Sequence, residues 1–145
     1  MERPAELRPI VQALILADHV YRDQATHKFV IAGTFRQILV PSFPVQYTWP
    51  VAAYVSLTNL RGKIALHLRF VDLRDLKVLV QTPALSVDSE DPLASIELAC
   101  QVGSLPLPHA GTYALEVAAN GEPIGSLRIL AAQFQRPPGA PPDAG

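Results

Sequence analysis

The side chains best suited to catalysis in this 145-residue sequence are four histidines and one cysteine. His19 follows Asp18, and a carboxylate beside an imidazole can orient a general base. Adjacent residues of a strand point to opposite faces, however, so the pair does not by itself form a dyad. No histidine lies at metal-ligand spacing from another histidine or from Cys100. We therefore expect no enzyme activity, no cofactor and no zinc site, and we expect Cys100 to be a core residue.

Two acidic segments could supply oxygen ligands for calcium. Asp72 and Asp75 lie in one predicted loop, and Asp88 and Asp91 lie in another. Loops at one rim of a β-sandwich can hold calcium through such carboxylates. Cations interleave with the first pair, and nothing in the sequence sets a coordination geometry. Solvated turns are the favoured interpretation, and these four residues form an alternative calcium site.

A third candidate is the proline-bounded segment 41–50, which we call the aromatic loop. It concentrates Phe43, Tyr47 and the only tryptophan, Trp49. Rigid aromatic side chains are typical of binding hot spots, because little entropy is lost when they are ordered. The same rings could instead close one end of the core under a crossover between sheets. The core role is favoured over the binding role, but the two are closer here than for any other candidate in the sequence. The loop is therefore the best candidate contact surface.

The elements that must position these residues are predicted to be β-strands. Apolar and polar residues alternate along most of the chain, turn residues separate the runs, and no helical periodicity of useful length occurs. Nine runs, two of them short, predict about eight strands, and they lie at residues 11–21, 28–35, 51–58, 63–72, 76–80, 84–87, 92–102, 112–119 and 124–134. The short runs on either side of Pro83 are predicted to be edge pieces, because proline cannot donate to a central ladder.

A tyrosine corner is predicted at Gly111 and Tyr113, which follow a proline-rich loop and begin an alternating strand. In immunoglobulin-like sandwiches the hydroxyl of such a tyrosine bonds to backbone a few residues upstream. Asn120 and Gly121 are typical of a type I′ turn and predict a hairpin of the last two strands. We therefore predict an all-β, immunoglobulin-like antiparallel β-sandwich, with an eight-stranded barrel or a jelly roll as the alternative.

Composition limits the function classes. A formal net charge of -1 gives no attraction to phosphate backbones, so nucleic-acid binding is not expected. No run approaches the roughly 20 apolar residues of a membrane span, and the apolar run at residues 10–17 is interpreted as a strand rather than a signal peptide. One cysteine precludes an intrachain disulfide and suits a reducing compartment, so a cytoplasmic location is expected.

The chain is predicted to form one domain over residues 10–135. Residues 1–9 are expected to be a flexible segment, and residues 136–145, rich in proline, are expected to be a disordered tail.

Several short motifs together resemble a family of small bacterial proteins known only as a domain of unknown function. The matching residues are Asp18, Lys28, Gly33, Phe35, Phe43, Pro44, Gly111 and Tyr113. His27 departs from the pattern, since the family often has a turn glycine there. The resemblance implies a bacterial cytoplasmic β-sandwich and implies no activity, cofactor or catalytic residue.

The expected function is a non-enzymatic binding or assembly module that contacts another protein through loops or a sheet edge. A small-molecule or calcium-binding domain is the alternative, and an enzyme built on Asp18 and His19 is the weakest hypothesis. Apolar residues on both faces of the run at 11–17 also suggest a homodimer or a partner sheet, because one face would otherwise be exposed.

Overall fold

The structure is a computed structural model, and it describes residues 8–135. The predicted tail at 136–145 and most of the predicted flexible segment at 1–9 lie outside these residues. Twelve strands form within the described part of the chain. They are β1 Ile10–Arg22, β2 Phe29–Thr34, β3 Gln37–Val40, β4 Val45–Tyr47, β5 Ala52–Thr58, β6 Gly62–Asp72, β7 Lys77–Gln81, β8 Leu85–Ser89, β9 Ile96–Gln101, β10 Leu105–Leu107, β11 Gly111–Ala119 and β12 Glu122–Gln133.

Two sheets make up an immunoglobulin-like β-sandwich, which confirms the predicted fold class. One sheet has the order β2-β1-β5-β9. The other has the order β3-β12-β11-β6-β7, with β8 also paired to β6, and β3 joins it in parallel with β12. The hydrogen-bonded path of each sheet ends at edge strands, so the sheets do not close into a barrel. A short ribbon of β4 and β10 stands apart from both sheets.

The core fills the space between the two sheets. Leu16 and Val55 from the first sheet lie in one buried cluster with Phe70, Leu115 and Ile129 from the second. The two faces of β1 are both apolar because each meets a cluster of its own chain. Next to Leu16, Ala17 lies in a smaller cluster beneath partly buried aromatic rings of β2 and β5. Part of the apolar surface that suggested a partner sheet is therefore covered within the chain.

The predicted hairpin of the last two strands, β11 and β12, forms, and β1 and β2 form a second hairpin. Asn120 and Gly121 have φ of 50° and 85°, and Ala119 pairs with Glu122, as a two-residue type I′ turn requires. Between β1 and β2, His27 has a φ of 60°, the left-handed conformation that a turn glycine adopts without strain. The histidine that departs from the family pattern thus keeps the turn geometry. Gly33 of β2 also has positive φ, and a Cβ there would lie 2.5 Å from Oδ2 of Asp18.

Three strands were not predicted: β3, β4 and β10. Each has three or four residues, and prolines flank or interrupt all three. Such segments show too few alternations to be separated from loops. The pieces on either side of Pro83 are β7 and β8, and both pair with β6 at the margin of its sheet, as predicted. Across residues 8–135, no helix is long and apolar enough to cross a membrane.

Candidate functional site

The tyrosine corner forms at the start of β11. The side chain of Tyr113 is fully buried, and its hydroxyl donates to the carbonyl oxygen of His109 at 2.6 Å. The same hydroxyl accepts from the amide of His109 at 3.3 Å. The ring stacks on Phe70 with centroids 5.0 Å apart. The loop before β11 is therefore fastened to the core by one side chain.

His109 also forms an ion pair across the corner. Its Nε2 lies 2.6 Å from Oδ2 of Asp72, the last residue of β6, and its Nδ1 lies 2.8 Å from the carbonyl oxygen of Ala110. Both ring nitrogens face acceptors, an arrangement that favours the doubly protonated, cationic imidazole. Asp72 pairs in register with Tyr113, so the pairing of β6 with β11 brings the carboxylate to the histidine.

The pKa values of this pair move in opposite directions, as in an ion pair. The hydrogen bond to the Ala110 carbonyl and then the bond to Asp72 raise the pKa of His109 above its ordinary value. For Asp72, burial acts to raise the pKa, but hydrogen bonds from the Arg74 amide and from His109, with the nearby positive charges, lower it overall. Each shift thus favours the charged form of its group.

A cavity of about 740 Å³ opens beside this pair, and we call it the corner cavity. Its apolar wall comes from β4, β7, β10 and adjoining loops. The apolar lining residues are Pro44, Val45, Leu79, Pro106, Leu107 and Pro108. The polar lining residues are Gln46, Asp72, Arg74, Asp75, Lys77 and His109.

The turn between β6 and β7 supplies the charged side of the corner cavity. Oδ1 of Asp72 accepts from the amide of Arg74 at 3.0 Å, and Oδ1 of Asp75 accepts from the amide of Lys77 at 3.1 Å. Between them, Leu76 has a φ of 61° and is 73% exposed. A bulky side chain is unusual in this left-handed region, so the turn carries local strain.

The aromatic loop divides into a core part and an exposed part. Phe43 and Tyr47 are partly buried and pack against the main core, with the ring of Tyr47 6.4 Å from that of Phe35. Trp49 is 71% exposed. The core interpretation thus describes two of the three aromatic residues, and the contact-surface interpretation stays a prediction for Trp49.

A second concavity of about 460 Å³ lies beside this loop, and we call it the aromatic cavity. Tyr47 and Trp49 line it together with Leu39 of β3 and Asp18 of β1. Burial, and secondarily the charge of Asp18, raises the pKa of Tyr47, so its hydroxyl stays protonated. Asp18 lines the aromatic cavity whereas its neighbour His19 does not, so this cavity does not bring the two together.

The four carboxylates of the alternative calcium site do not converge. Asp72 ends β6, while Asp88 pairs with Lys63 near the opposite end of the same strand. Nine residues of strand separate these positions by roughly 30 Å. Asp91 follows β8 on the side of Asp88, and within residues 8–135 no group of three or more potential ligands is placed to hold a metal ion. The expectation that two acidic loops could share one rim is corrected by the register of β6 with β8.

Cys100 is half-buried on β9 and packs against the main core. Burial raises the pKa of its thiol, which lowers the thiolate fraction and with it the nucleophilicity. This placement agrees with the predicted core role.

The sequence did not reveal the bond between His109 and Asp72. The two residues are 37 positions apart in the sequence. The one available signal was a histidine four residues before the corner tyrosine. Finding its partner requires the register of β6 with β11.

The fold and the corner define a class of protein, the immunoglobulin-like β-sandwiches. Within that class, the chain belongs to a family of unknown function (DUF6941), whose model matches residues 12–132. The resemblance predicted from short motifs is thereby confirmed. Among solved structures, the chain is similar to an immunoglobulin-like protein from Pseudomonas aeruginosa, with 11% identity and a TM-score of 0.41. That match covers 89% of this chain and 100% of the other. No curated protein matches the chain.

Proposed function

We propose that the protein is a non-enzymatic binding module that contacts a protein partner through the aromatic loop. The observation that carries this proposal is the exposure of Trp49, which is 71%. Tryptophan has one of the largest apolar surfaces of any residue, and burying it in an interface yields a large gain for little lost entropy. The bounding residues Pro41 and Pro50 restrict the loop further, which lowers the entropy lost on binding.

The surroundings of Trp49 support a protein partner rather than a small ligand. Leu39 on the neighbouring strand β3 is 53% exposed and lines the same aromatic cavity. Because β3 is the edge of its sheet, its outer backbone groups are available to a partner strand. An exposed tryptophan, a concavity and an open strand edge thus form one continuous surface that suits loop and edge contacts together.

Affinity capture from a lysate of the source organism tests this proposal through its dependence on one side chain. The bait is the full chain, compared with Trp49→Ala and with Leu93→Ala, which removes an 89% exposed apolar residue far from the loop in sequence. We expect a protein that the wild-type chain and Leu93→Ala both retain and that Trp49→Ala loses. Equal capture by all three baits, or capture by none, would overturn the proposal, provided that Trp49→Ala unfolds at the wild-type temperature.

Three companion proposals complete this function. The protein acts in the bacterial cytoplasm, where a lone thiol such as Cys100 stays reduced. It binds neither nucleic acid nor membranes, in keeping with its near-neutral charge. It also forms a homodimer, which the exposed Ile10 and Tyr21 of β1 support, since both are 52% exposed. Sedimentation velocity at several concentrations tests the dimer, and a concentration-independent monomer would contradict it.

A further inference from the structure

The corner cavity combines an apolar wall with a charged turn, and its size suits a small ligand. Its volume of about 740 Å³ lies within the range of small-molecule sites, roughly 300–1,000 Å³. Much of the wall is proline, from Pro44, Pro106 and Pro108. Proline rings offer rigid apolar contact, so the wall loses little entropy when a ligand covers it. A ligand of this cavity should therefore have an apolar body.

The carboxylates of the cavity already have partners within the chain. Asp72 accepts from His109 and from the Arg74 amide, and Asp75 accepts from the Lys77 amide. Because Asp72 and His109 form an ion pair, their charges offset one another. Neither carboxylate is left to attract a cationic ligand strongly.

The cations of the same turn differ from its carboxylates in their partners. Within residues 8–135, the ion pair of His109 with Asp72 is the only salt bridge, so Arg74 and Lys77 have no carboxylate partner there. Two cations and one locally bonded carboxylate, Asp75, thus remain at the charged side of the cavity. An arginine guanidinium matches a carboxylate in a bidentate geometry, and a lysine ammonium adds a point charge beside it. The ligand should therefore carry an anionic end.

The tip of this turn is an independent sign of a contact surface. Leu76 is 73% exposed and has a φ of 61°, although glycine or asparagine would fit this conformation with less strain. A left-handed leucine is costly and gains nothing from burial in the free protein. Such outliers concentrate at ligand clamps and switch regions. The residue lies between Asp75 and Lys77, both of which line the cavity.

We propose that the corner cavity binds a small amphiphilic carboxylate, whose apolar body lies on the proline and leucine wall and whose carboxylate is held by Arg74 and Lys77. The site is separate from Trp49 and does not depend on the protein-binding function proposed for the aromatic loop. It assigns the His109 and Asp72 pair a positioning role. The pair fixes the β6–β7 turn, through the bond from the Arg74 amide, in the arrangement that presents the two cations.

Octanoate is a suitable probe, used below its micelle concentration and followed by calorimetry on the full chain. We compare it with octan-1-ol, which keeps the apolar body, with octyltrimethylammonium, which reverses the charge, and with acetate, which removes the body. We expect one octanoate per chain and an affinity at least about tenfold above that of octan-1-ol. The cationic probe and acetate should give no saturable heat.

Two variants test the assignment to these residues. The double variant Arg74→Gln with Lys77→Gln should lose the preference for octanoate over octan-1-ol while unfolding at the wild-type temperature. The matched control is Lys63→Gln with Arg128→Gln, which removes two exposed cations of the same sheet outside the cavity and should keep the preference. Trp49→Ala should also keep it, which separates this proposal from the proposed protein contact.

Four results would overturn the proposal. They are octanoate binding no tighter than octan-1-ol, equal losses in the double variant and its control, loss of octanoate binding in Trp49→Ala, and no saturable binding at millimolar octanoate. Amide chemical shifts identify the surface in each case. Shifts at Leu79, Leu107 and His109 support the corner cavity, and shifts confined to the aromatic loop contradict it.

Discussion

The aromatic loop and the corner cavity share residues of one short ribbon, β4 with β10, yet they use aromatic side chains in opposite ways. In the loop, Trp49 is 71% exposed, while at the corner Tyr113 is fully buried between Phe70 and His109. The polar groups at the corner bond to one another, whereas the loop ends in an open apolar surface. The contrast teaches that the same residue types stabilise the fold where their polar atoms are satisfied internally, and are free for the contact that we propose where they are left in solvent.

Truncating one large aromatic side chain in each region should give the largest difference in the free energy of unfolding between the two regions. Phe70→Ala removes a fully buried ring beneath Tyr113 and should lower the free energy of unfolding by about 3–5 kcal/mol. Trp49→Ala should change it by less than about 0.5 kcal/mol, because its ring is already in solvent. Urea unfolding of both variants measures the difference. A large loss in Trp49→Ala would place the whole loop in the core and remove the contrast.

Removing one hydroxyl in each region is a finer test. Tyr113→Phe deletes the bonds to both backbone groups of His109 and should cost about 1 kcal/mol. Tyr47→Phe is the matched control in the aromatic loop, where the partly buried ring packs beside Phe35, and it should cost less than about 0.5 kcal/mol. Equal unfolding midpoints for Tyr113→Phe and the wild-type chain would contradict the structural role of the corner.

The strained turn predicts a gain rather than a loss. Leu76→Gly relieves a left-handed leucine and should raise the free energy of unfolding by about 0.5–1 kcal/mol, after the extra entropy of glycine in the unfolded chain is offset. Leu93→Gly changes another exposed leucine, one that is not left-handed, and should give no gain. A Leu76→Gly variant that gains no stability in urea unfolding would show that the turn is relaxed.

The strands with a long alternation of apolar and polar residues were predicted from the sequence. The tyrosine corner was predicted too, because its residues Gly111 and Tyr113 lie close together in the chain. β6 and β11 each bury several residues of one phase, so their pattern is visible without any partner. β4 and β10 were not predicted, because Pro44, Pro106 and Pro108 give their segments the composition of loops. A local sequence pattern identifies strands that bury one face in the core. It misses short strands that form only through pairing with another segment.

The same limit of local sequence patterns explains why one candidate site was identified from the sequence and the other was not. Trp49 was identified because three aromatic residues lie within one short segment. The corner cavity was not, because its walls come from β4, β7 and β10 and its ion pair joins residues 37 positions apart. The carboxylates Asp72 and Asp75 were interpreted as parts of solvated turns, with calcium as the alternative, since the sequence does not show that His109 and two backbone amides already bond them.

The smallest expected effect is the pH dependence that the His109 and Asp72 pair adds to stability. The pKa of His109 is raised above 6.5, so its contribution is complete below pH 6.5 and is lost as the pH rises through the raised value. The pKa of Asp72 is lowered below 3.8, so its contribution is present above pH 3.8 and is lost as the pH falls through the lowered value. The pair therefore stabilises the fold most between about pH 4 and 6.5.

The variant His109→Asn isolates this contribution, because the difference from the wild-type chain cancels the titration of groups that both proteins share. We expect the difference in the free energy of unfolding to shrink by about 0.5 kcal/mol as the pH rises above 6.5, the scale of a partly exposed ion pair. A constant offset, from the lost stacking on Tyr113, should remain at every pH. Urea unfolding from pH 4 to pH 9 measures both parts. A difference that does not vary with pH would mean that the pKa of His109 is the same in the folded and unfolded chains, and the bond to Asp72 would then add no charge-dependent stability to the corner.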